Sequence, residues 1–325
     1  MAANEVLYLS RADVEKVGMT MRDVIEAVEA VFVEKGNGRV EMPPKPGLHT
    51  MPDAFIHAMP AYIPGMKSAG MKWVGGYPEN YKRGLPYITG LLILNDTETG
   101  LPTVVMDCVW ITAMRTGAAT AVAAKYLARK DSEVAAVCGC GVQGRTNIEA
   151  LSLVLPRLKT VRAYDNLPDN LHCYVKEMSA KLSLKFVPCS SPREAVMGAD
   201  VIVTAGPILK HPTPAIEAAW FKEGAFASPV DFDSYWQPAA MALADKFCTD
   251  DTKQLEYYRS VGYFQKIPAL YGDLGEIVAG KKPGRQRDNE RTISANLGLA
   301  LEDMATAIRI YKIAKEKGIG RMLPL

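Results

Sequence analysis

Three glycines near the middle of the chain, Gly139, Gly141 and Gly144, have the spacing of a dinucleotide-binding loop. They lie in "VAAVCGCGVQGR", where a short apolar run predicts a buried strand and the residues after Gly141 predict a helix. In such a loop the first glycine permits a tight turn, the second lets a pyrophosphate approach the backbone, and the third lets the helix pack against the strand. Free N–H groups and the helix dipole then attract phosphate. The stretch therefore predicts dinucleotide binding.

An acidic residue supports this interpretation. Asp165, in "VRAYDN", ends the next predicted strand, about twenty residues after the loop. A carboxylate at this position accepts hydrogen bonds from an adenosine ribose, whereas it would repel a 2′-phosphate. The following residue is Asn166 and not an arginine. The sequence therefore favours NAD over NADP.

The cysteines and histidines do not form a metal site in this interpretation. Cys138 and Cys140 flank Gly139, but a structural zinc needs four ligands and no second Cys pair or nearby His supplies the rest. We therefore expect both to be packing residues and predict no metal. The six cysteines lack a paired framework, which predicts reduced thiols and a cytoplasmic location. No catalytic role is assigned to the four histidines, which are His49, His57, His172 and His211.

The elements that must position the loop follow a regular order. From Asp131 onward, short apolar runs alternate with helical segments: "EVAAVCG", "VQGRTNIEALSLVLP", "TVRAYDN", "PDNLHCYVKEMSAKL", "SLKFVPCS", "SPREAVMGA" and "DVIVTAG". This alternation predicts a doubly wound parallel sheet of the Rossmann type. The sequence therefore predicts an NAD-binding domain over residues 129–299 and an overall α/β class.

A different kind of domain is expected over residues 1–128. A segment with a Ser cap, helical apolar spacing and a stop at Gly36 predicts a helix over 10–36. The runs "TGLLILND" and "PTVVMD", joined by a turn at "TETG", predict antiparallel strands, and "WITAMRTGAATAVAAKYLARK" predicts a long Ala-rich helix leading out of the domain. We expect the last helix, within 300–325, to pack back onto this α+β domain.

Composition excludes several classes of protein. The chain has 325 residues, 48% hydrophobic and 23% charged, with a formal net charge of +2. This small excess is spread along the chain and gives no reason to expect nucleic acid or an anionic membrane as a partner. The N-terminus lacks the pattern of a signal peptide, and no window has the apolar length of a membrane span. Two domains are expected at this length.

Three further stretches carry a family resemblance. The run "GLPYITGLLILNDTETGLPTVVMDCVWITAMRTGAATAVAAKYLAR", followed by "GCGVQGR" and ending in "LGLALEDMATAIRIYKIAKEKGIG", resembles the ornithine cyclodeaminase/mu-crystallin family over nearly the whole chain. The family includes ornithine and lysine cyclodeaminases, an archaeal type of alanine dehydrogenase, and ketimine or pyrroline-2-carboxylate reductases. The resemblance implies NAD(P) in the Rossmann domain. It also implies a homodimer formed through the other domain, which binds the substrate.

The resemblance also implies roles for single residues. Lys72 in "GMKWVGG" and Arg115 in "TAMRTGA" match a substrate-binding Lys and an Arg near both the substrate carboxylate and the cofactor. Lys45 falls where the family has Arg, and it lacks the bidentate fork that suits a carboxylate. Leu297 is expected to line the substrate pocket. Besides the glycines and Asp165, the implied cofactor-binding residues are Val142, Gln143, Thr204, Arg115, Tyr87 where the cyclodeaminase has Thr, and Asn296 where it has Ser.

The catalytic acid/base falls in "FASPVDFDSYW", which lacks the glycines of the family's loop. Counting forward from the strand favours Asp231, with Asp233 as the alternative. Lys72 is the second residue expected at the reacting centre. An Asp in this role would exchange a proton with the amine or with an attacking water.

The chemistry implied is NAD(H)-dependent hydride exchange at an α-carbon that carries nitrogen, on an α-amino acid or its imine. Amino acid dehydrogenation and imine reduction are the preferred forms. The main alternative is an ornithine or lysine cyclodeaminase that recycles the hydride internally. A non-catalytic, mu-crystallin-like binding protein is a third, less favoured possibility. The substrate side chain stays open at this point.

Overall fold

The computed structural model describes residues 5–325, which form two compact units. Unit 1 contains the residues up to Arg115 together with Gly298–Leu325, and unit 2 is Thr116–Leu297. The boundary lies inside the Ala-rich helix, whereas the sequence predicts it after residue 128, where the composition changes. The difference arises because the helix begins in one unit and ends in the other.

Strands and helices are numbered in chain order. The strands are β1 Glu5–Leu9, β2 Gly47–Leu48, β3 Phe55–Ile63, β4 Ser68–Gly76, β5 Ile88–Asn95, β6 Pro102–Asp107, β7 Val134–Cys138, β8 Thr160–Tyr164, β9 Lys185–Pro188, β10 Val201–Thr204, β11 Phe226–Pro229, β12 Lys246–Thr249, β13 Leu270–Asp273, β14 Thr292–Ala295 and β15 Arg321–Pro324. The helices are α1 Arg11–Lys16, α2 Met21–Gly36, α3 Val109–Leu127, α4 Val142–Val154, α5 Pro168–Lys181, α6 Pro192–Val196, α7 Pro238–Met241, α8 Thr252–Ser260, α9 Leu274–Val278 and α10 Ala300–Lys317.

The prediction of one helix over residues 10–36 is wrong, because the segment forms both α1 and α2. Ser10 caps α1 through its side chain, as expected, but Gly18 adopts a left-handed φ of 81° and stops the helix. Thr20 then caps a second helix by accepting a hydrogen bond from the backbone N–H of Asp23. A second capping box inside the apolar pattern is the signal for this break.

Unit 1 is built on a seven-stranded sheet with the order β15-β1-β6-β5-β4-β3-β2. The strands β2 to β6 are antiparallel, as predicted, and β1 pairs with β6 in parallel. One row of side chains runs across five strands on the buried face: Met59, Lys72, Leu92, Met106 and Leu9. Burying each apolar member of such a row stabilises the fold by about 1.5–3 kcal/mol. Because α10 packs on β3, β4 and β5, Lys72 is a charged residue inside an apolar core.

Unit 2 is an eight-stranded parallel sheet with the order β13-β12-β14-β11-β10-β7-β8-β9. The chain winds from β7 to β8 and β9 on one side, then returns to β10 and β11 on the other. The winding therefore reverses at β7, and the carboxyl ends of the strands at such a switch point form the usual ligand crevice of this fold. The predicted doubly wound sheet with a separate α+β unit is confirmed. Among residues 5–325, no helix combines the length and apolarity needed to cross a bilayer.

Candidate active site

The glycine loop lies between β7 and α4 at the carboxyl edge of the parallel sheet. Gly139 has a φ of 104°, and a Cβ there would lie 2.5 Å from the carbonyl oxygen of Ala205. A Cβ on Gly144 would lie 2.2 Å from the Gly139 carbonyl oxygen, so both positions require glycine. A Cβ on Gly141 would meet nothing within 4 Å in the described chain. The loop is thus tightly packed at its two ends and open at Gly141, where a phosphate would approach the backbone.

Asp165 follows β8 and faces this loop. One carboxylate oxygen accepts the backbone N–H of Cys140 at 2.7 Å, and the other accepts the N–H of Leu167 at 2.9 Å. These bonds fix the carboxylate beside the loop while each oxygen keeps a second lone pair for another donor. The arrangement suits the recognition of ribose hydroxyls.

Asp231 lies two residues beyond the end of β11, and its side chain is fully buried. One carboxylate oxygen accepts the hydroxyl of Thr204 at 2.6 Å, and the other accepts the backbone N–H of Gly206 at 2.9 Å. Thr204 ends β10, so two neighbouring strand ends supply this pair. Burial raises the pKa of Asp231 to about 7, although the hydrogen bonds from Thr204 and Gly206 oppose the rise. A carboxyl with this pKa can take up and release a proton near neutral pH.

Asp233 has a different environment. It accepts the backbone N–H of Phe264 at 3.1 Å and is only partly buried. Between the two acids, Phe232 adopts a left-handed φ of 63° and packs against Phe264, with 5.1 Å between the ring centroids. The reversed backbone and the aromatic packing fix the loop. The contacts of Asp233 therefore indicate that it anchors the loop, whereas those of Asp231 are typical of a buried acid.

Asn296 and Leu297 follow β14 at the same edge of the sheet, and both are buried. The side-chain oxygen of Asn296 accepts the hydroxyl of Ser294 at 2.8 Å. Its Nδ2 is buried without a hydrogen-bond partner in residues 5–325. A buried amide donor of this kind costs free energy unless an acceptor is supplied, so it marks a place for a polar ligand atom.

Cys138 and Cys140 are buried, and burial raises the pKa of both thiols, that of Cys140 to about 12. Groups that remain neutral thiols are poor metal ligands and nucleophiles. No group of three or more potential metal ligands occurs in the part of the chain that the structure describes. The two cysteines thus pack where a strand enters a tight loop.

In unit 1, the buried Lys72 of β4 contacts the first turn of α10. Its Nζ lies 2.7 Å from a carboxylate oxygen of Asp303 and donates to the hydroxyl of Thr112 at 3.2 Å. Burial lowers the pKa of Lys72, while Asp303 acts against that effect. Acidic residues are favoured in the first turn of a helix because they interact well with its dipole.

Arg115 contacts the same helical turn. Its guanidinium lies 2.9 Å from a carboxylate oxygen of Glu302 and 3.2 Å from one of Asp303. Gly298, with a φ of 80°, lies directly against the guanidinium, since a Cβ there would be 2.4 Å from Arg115 Nη1. Lys45 donates to the Gly298 carbonyl oxygen at 3.2 Å. The three cations that the resemblance assigns to the substrate are therefore gathered around the start of α10.

All the ionisable side chains of this cluster are buried: Lys45, Lys72, Arg115, Glu302 and Asp303. Buried charged groups are stable only where they are paired or hydrogen-bonded, as the contacts of Lys72 and Arg115 with the two acids show.

Comparison with known proteins adds to this geometry. A family model described as ornithine cyclodeaminase/mu-crystallin family matches residues 4–318. The chain belongs to this family. Alanine dehydrogenase of Archaeoglobus fulgidus is 35% identical, and the match covers 97% of this chain and 97% of that protein.

Two solved structures of the ornithine cyclodeaminase/mu-crystallin fold match closely. Δ1-pyrroline-2-carboxylate reductase of Thermococcus litoralis, in complex with NADH and L-proline, is 35% identical with a TM-score of 0.87, covering 97% of this chain and 99% of that one. An archaeal alanine dehydrogenase dimer with bound NAD is 33% identical with a TM-score of 0.87, covering 98% and 99%. The predicted family is confirmed. The two relatives are NAD-dependent enzymes, which is the class that the sequence predicts.

Within the family framework, the remaining sequence-based assignments can be located. Val142 is exposed at the start of α4 and Gln143 is partly buried beside it. Tyr87 is partly buried before β5. Their roles toward a cofactor stay predictions. His57, which was given no role, stacks on Phe55, and burial together with nearby Lys45 lowers its pKa to about 3, so it is neutral near pH 7.

Sequence reasoning missed two residues at these sites, Glu302 and Asp303, and it missed the contact of Trp236 with Thr204. Glu302 and Asp303 could have been noticed as two adjacent acids inside an otherwise apolar, Ala-rich stretch of the last helix. Trp236 donates its indole N–H to Thr204, and it occupies the loop that replaces the family's glycines. No local pattern connects it to position 204.

Proposed function

We propose that this protein is an NAD(H)-dependent oxidoreductase acting on the C–N bond of an α-amino acid or of the corresponding imine. The observation that carries this proposal is Asp231, a buried carboxyl with a pKa of about 7 at the carboxyl edge that also carries the glycine loop. Hydride exchange at a carbon bearing nitrogen requires a proton to move on and off that nitrogen or an attacking water. A group with this pKa at this edge can perform that task.

The residues at the carboxyl edge fit NAD. The open backbone at Gly141 would receive the pyrophosphate at the start of α4, with Val142 and Gln143 beside it. Asp165 would accept the ribose hydroxyls and would repel a 2′-phosphate. The Nδ2 of Asn296 would donate to a polar atom of the cofactor. When bound, NAD supplies the acceptor or donor of the hydride.

The substrate is proposed to bind through its carboxylate to Lys45, Lys72 and Arg115. This assignment is supported by the position of the three basic side chains, which are buried together around the start of α10. Because Asp303 and Glu302 already contact Lys72 and Arg115, the cationic groups are held in fixed orientations before a substrate arrives. The bound carboxylate would fix the position of the α-carbon.

Three outcomes are open for the oxidised substrate. Attack by water gives a 2-oxo acid and ammonia, which is amino acid dehydrogenation. The reverse direction, from a preformed imine, is reduction. Attack by the substrate's own side-chain amine releases ammonia and leaves a cyclic imine, and return of the hydride to this imine gives a cyclic amino acid without net oxidation, which is cyclodeamination. We favour dehydrogenation or reduction because Lys45 and the loop after β11 both depart from the cyclodeaminase pattern.

We further propose a homodimer formed through the outer face of the unit 1 sheet. Apolar side chains on this face are only partly buried, and Trp73 and Leu91 are 43% and 45% exposed in the single chain. The face consists of Ile56, Ala58, Pro60, Tyr62, Met71, Trp73, Leu91 and Ile93. An apolar sheet face of this size favours association. Trp73→Lys should convert a dimer to a monomer in light scattering, and an unchanged mass would contradict the proposal.

All six cysteines are free thiols in the structure, five of them buried. This is typical of proteins in a reducing compartment. We therefore retain the cytoplasm as the proposed location.

The test of the function is absorbance at 340 nm in both directions. NAD⁺ is supplied with a panel of α-amino acids, and NADH with 2-oxo acids plus ammonia or amines and with cyclic imines. Net formation or consumption of NADH would support the proposal and identify the substrate. Ammonia release from ornithine or lysine without net NADH would instead establish the cyclodeaminase. Binding of NADH without turnover of any of these substrates would favour a binding protein.

A further inference from the structure

Three buried side chains of unit 2 form a hydrogen-bond chain that ends at Asp231. The indole N–H of Trp236 donates to Thr204 Oγ1 at 3.2 Å, and Thr204 Oγ1 donates to Asp231 Oδ1 at 2.6 Å. Trp236 is 1% exposed, and the other two are 0% exposed. Solvent water therefore does not compete for these hydrogen bonds.

When Asp231 is ionised, the direction of each bond in this chain is fixed by chemistry. An indole nitrogen can only donate, whereas a threonine hydroxyl has a single proton and two lone pairs. Because Trp236 donates to one lone pair of Thr204, the hydroxyl is oriented with its proton toward Asp231. The other oxygen of Asp231 accepts the Gly206 N–H. Each carboxylate oxygen thus receives one donor.

Trp236 itself is held in place by its surroundings. Its ring packs edge-on against Phe221, with 5.3 Å between the centroids. The backbone on either side is tied to one neighbouring segment, since Tyr235 accepts the N–H of Ile216 and Gln237 donates to the Ile216 carbonyl. The indole N–H therefore has a defined position relative to Thr204.

We propose that Trp236 is a positioning residue, which orients the Thr204 hydroxyl and through it sets the proton affinity of Asp231. The link from Asp231 to catalysis rests on the proposed function, but the effect on Asp231 itself does not. The other titratable groups that influence Asp231 in unit 2 are Asp233, Cys138 and Tyr235. Burial raises the pKa of Cys138 and Tyr235, so both are neutral near pH 7, and burial also raises the pKa of Asp233.

The first variant pair is Thr204→Val and Trp236→Phe. Removing the hydroxyl deletes one hydrogen bond to the charged form of Asp231 and should raise its pKa by about one pH unit. Removing only the indole N–H lets the hydroxyl rotate and should raise the pKa by roughly 0.3 pH unit. In the double variant, Trp236→Phe should add no further shift, because Trp236 acts only through Thr204. An equal additional shift in the double variant would overturn the proposal.

The experiment reads Asp231 directly, by ¹³C NMR titration of the carboxyl carbons of protein labelled at aspartate, with Asp231→Asn identifying the resonance. The pH profile of activity is measured alongside. Trp220→Phe is the matched control, since it makes the same change at a tryptophan that packs on the same core cluster, and its carboxyl titration should match the parent. An unshifted Asp231 titration in Trp236→Phe would overturn the proposal. A shifted titration supports it, and an unshifted activity profile in that same variant would instead count against Asp231 as the catalytic acid/base.

Discussion

Two regions of the molecule bury carboxyl groups in opposite ways. At the start of α10 in unit 1, Glu302 and Asp303 contact Arg115 and Lys72 directly. At the carboxyl edge of unit 2, Asp231 accepts bonds from a hydroxyl and a backbone N–H, both neutral donors. A neighbouring cation favours the charged form of a carboxyl group and holds its pKa low. A buried carboxyl group with only neutral donors lacks this effect, so its pKa can lie closer to neutral pH. The first region is suited to binding a charge and the second to exchanging a proton.

The largest expected effect is on activity. Asp231→Asn removes the exchangeable proton while nearly keeping the side-chain shape, so kcat/KM should fall about 10²–10⁴-fold in the 340 nm assay. Asp233→Asn is the matched control, because its side-chain oxygen can still accept the Phe264 N–H. A larger loss of kcat/KM in the Asp233 variant than in the Asp231 variant would mean that Asp233, and not Asp231, is the acid/base.

The next effect is on stability. Lys72→Met removes one of the two buried cations that contact Asp303, the other being Arg115, and should lower the free energy of unfolding by about 3 kcal/mol in urea titration. Lys181→Met is the matched control, since Lys181 forms an equally short ion pair with Glu149 at the surface and should cost under about 1 kcal/mol. Similar losses in both variants would mean that burial does not distinguish the two pairs.

A third effect is the pH dependence of stability. Asp231 has a folded pKa of about 7, above its usual value of 3.8, so the folded protein binds the proton more tightly than the unfolded chain. The stability associated with that proton is present at low pH and is lost as pH rises through 7. Between pH 5 and 7 the free energy of unfolding should fall by up to about 1.4 kcal/mol per pH unit relative to Asp231→Asn. Parallel curves for the two proteins would contradict this expectation.

The smallest effect concerns cofactor choice. Asp165→Asn keeps an acceptor for the Cys140 N–H but removes the charge that is proposed to face the ribose. The affinity for NADH should fall about tenfold, a cost of about 1.4 kcal/mol, while that for NADPH should rise, as measured by the fluorescence of bound nucleotide. An unchanged ratio of the two affinities would contradict the assignment of Asp165 to ribose recognition.

The sequence was more informative about unit 2 than about the cluster in unit 1. Gly139, Gly144 and Asp165 lie within one strand–loop–helix–strand segment, so their proposed roles follow from local spacing. The contact between Lys72 and Asp303 joins residues that are 231 positions apart in the chain. The helical spacing of apolar residues in α10 predicts the helix but does not indicate that its two acids are buried. Local patterns report periodicity and caps, whereas such contacts depend on how distant elements pack.

The most direct test of the account is kcat as a function of pH in both directions with the substrate found at 340 nm. Reduction of the imine needs protonated Asp231, and oxidation of the amine needs its carboxylate. Reduction should therefore slow, and oxidation should accelerate, as pH rises through a shared pKa near 7. Asp231→Asn should abolish both transitions. Transitions in the same sense, or ones that persist in Asp231→Asn, would contradict the assignment of the proton exchange to Asp231.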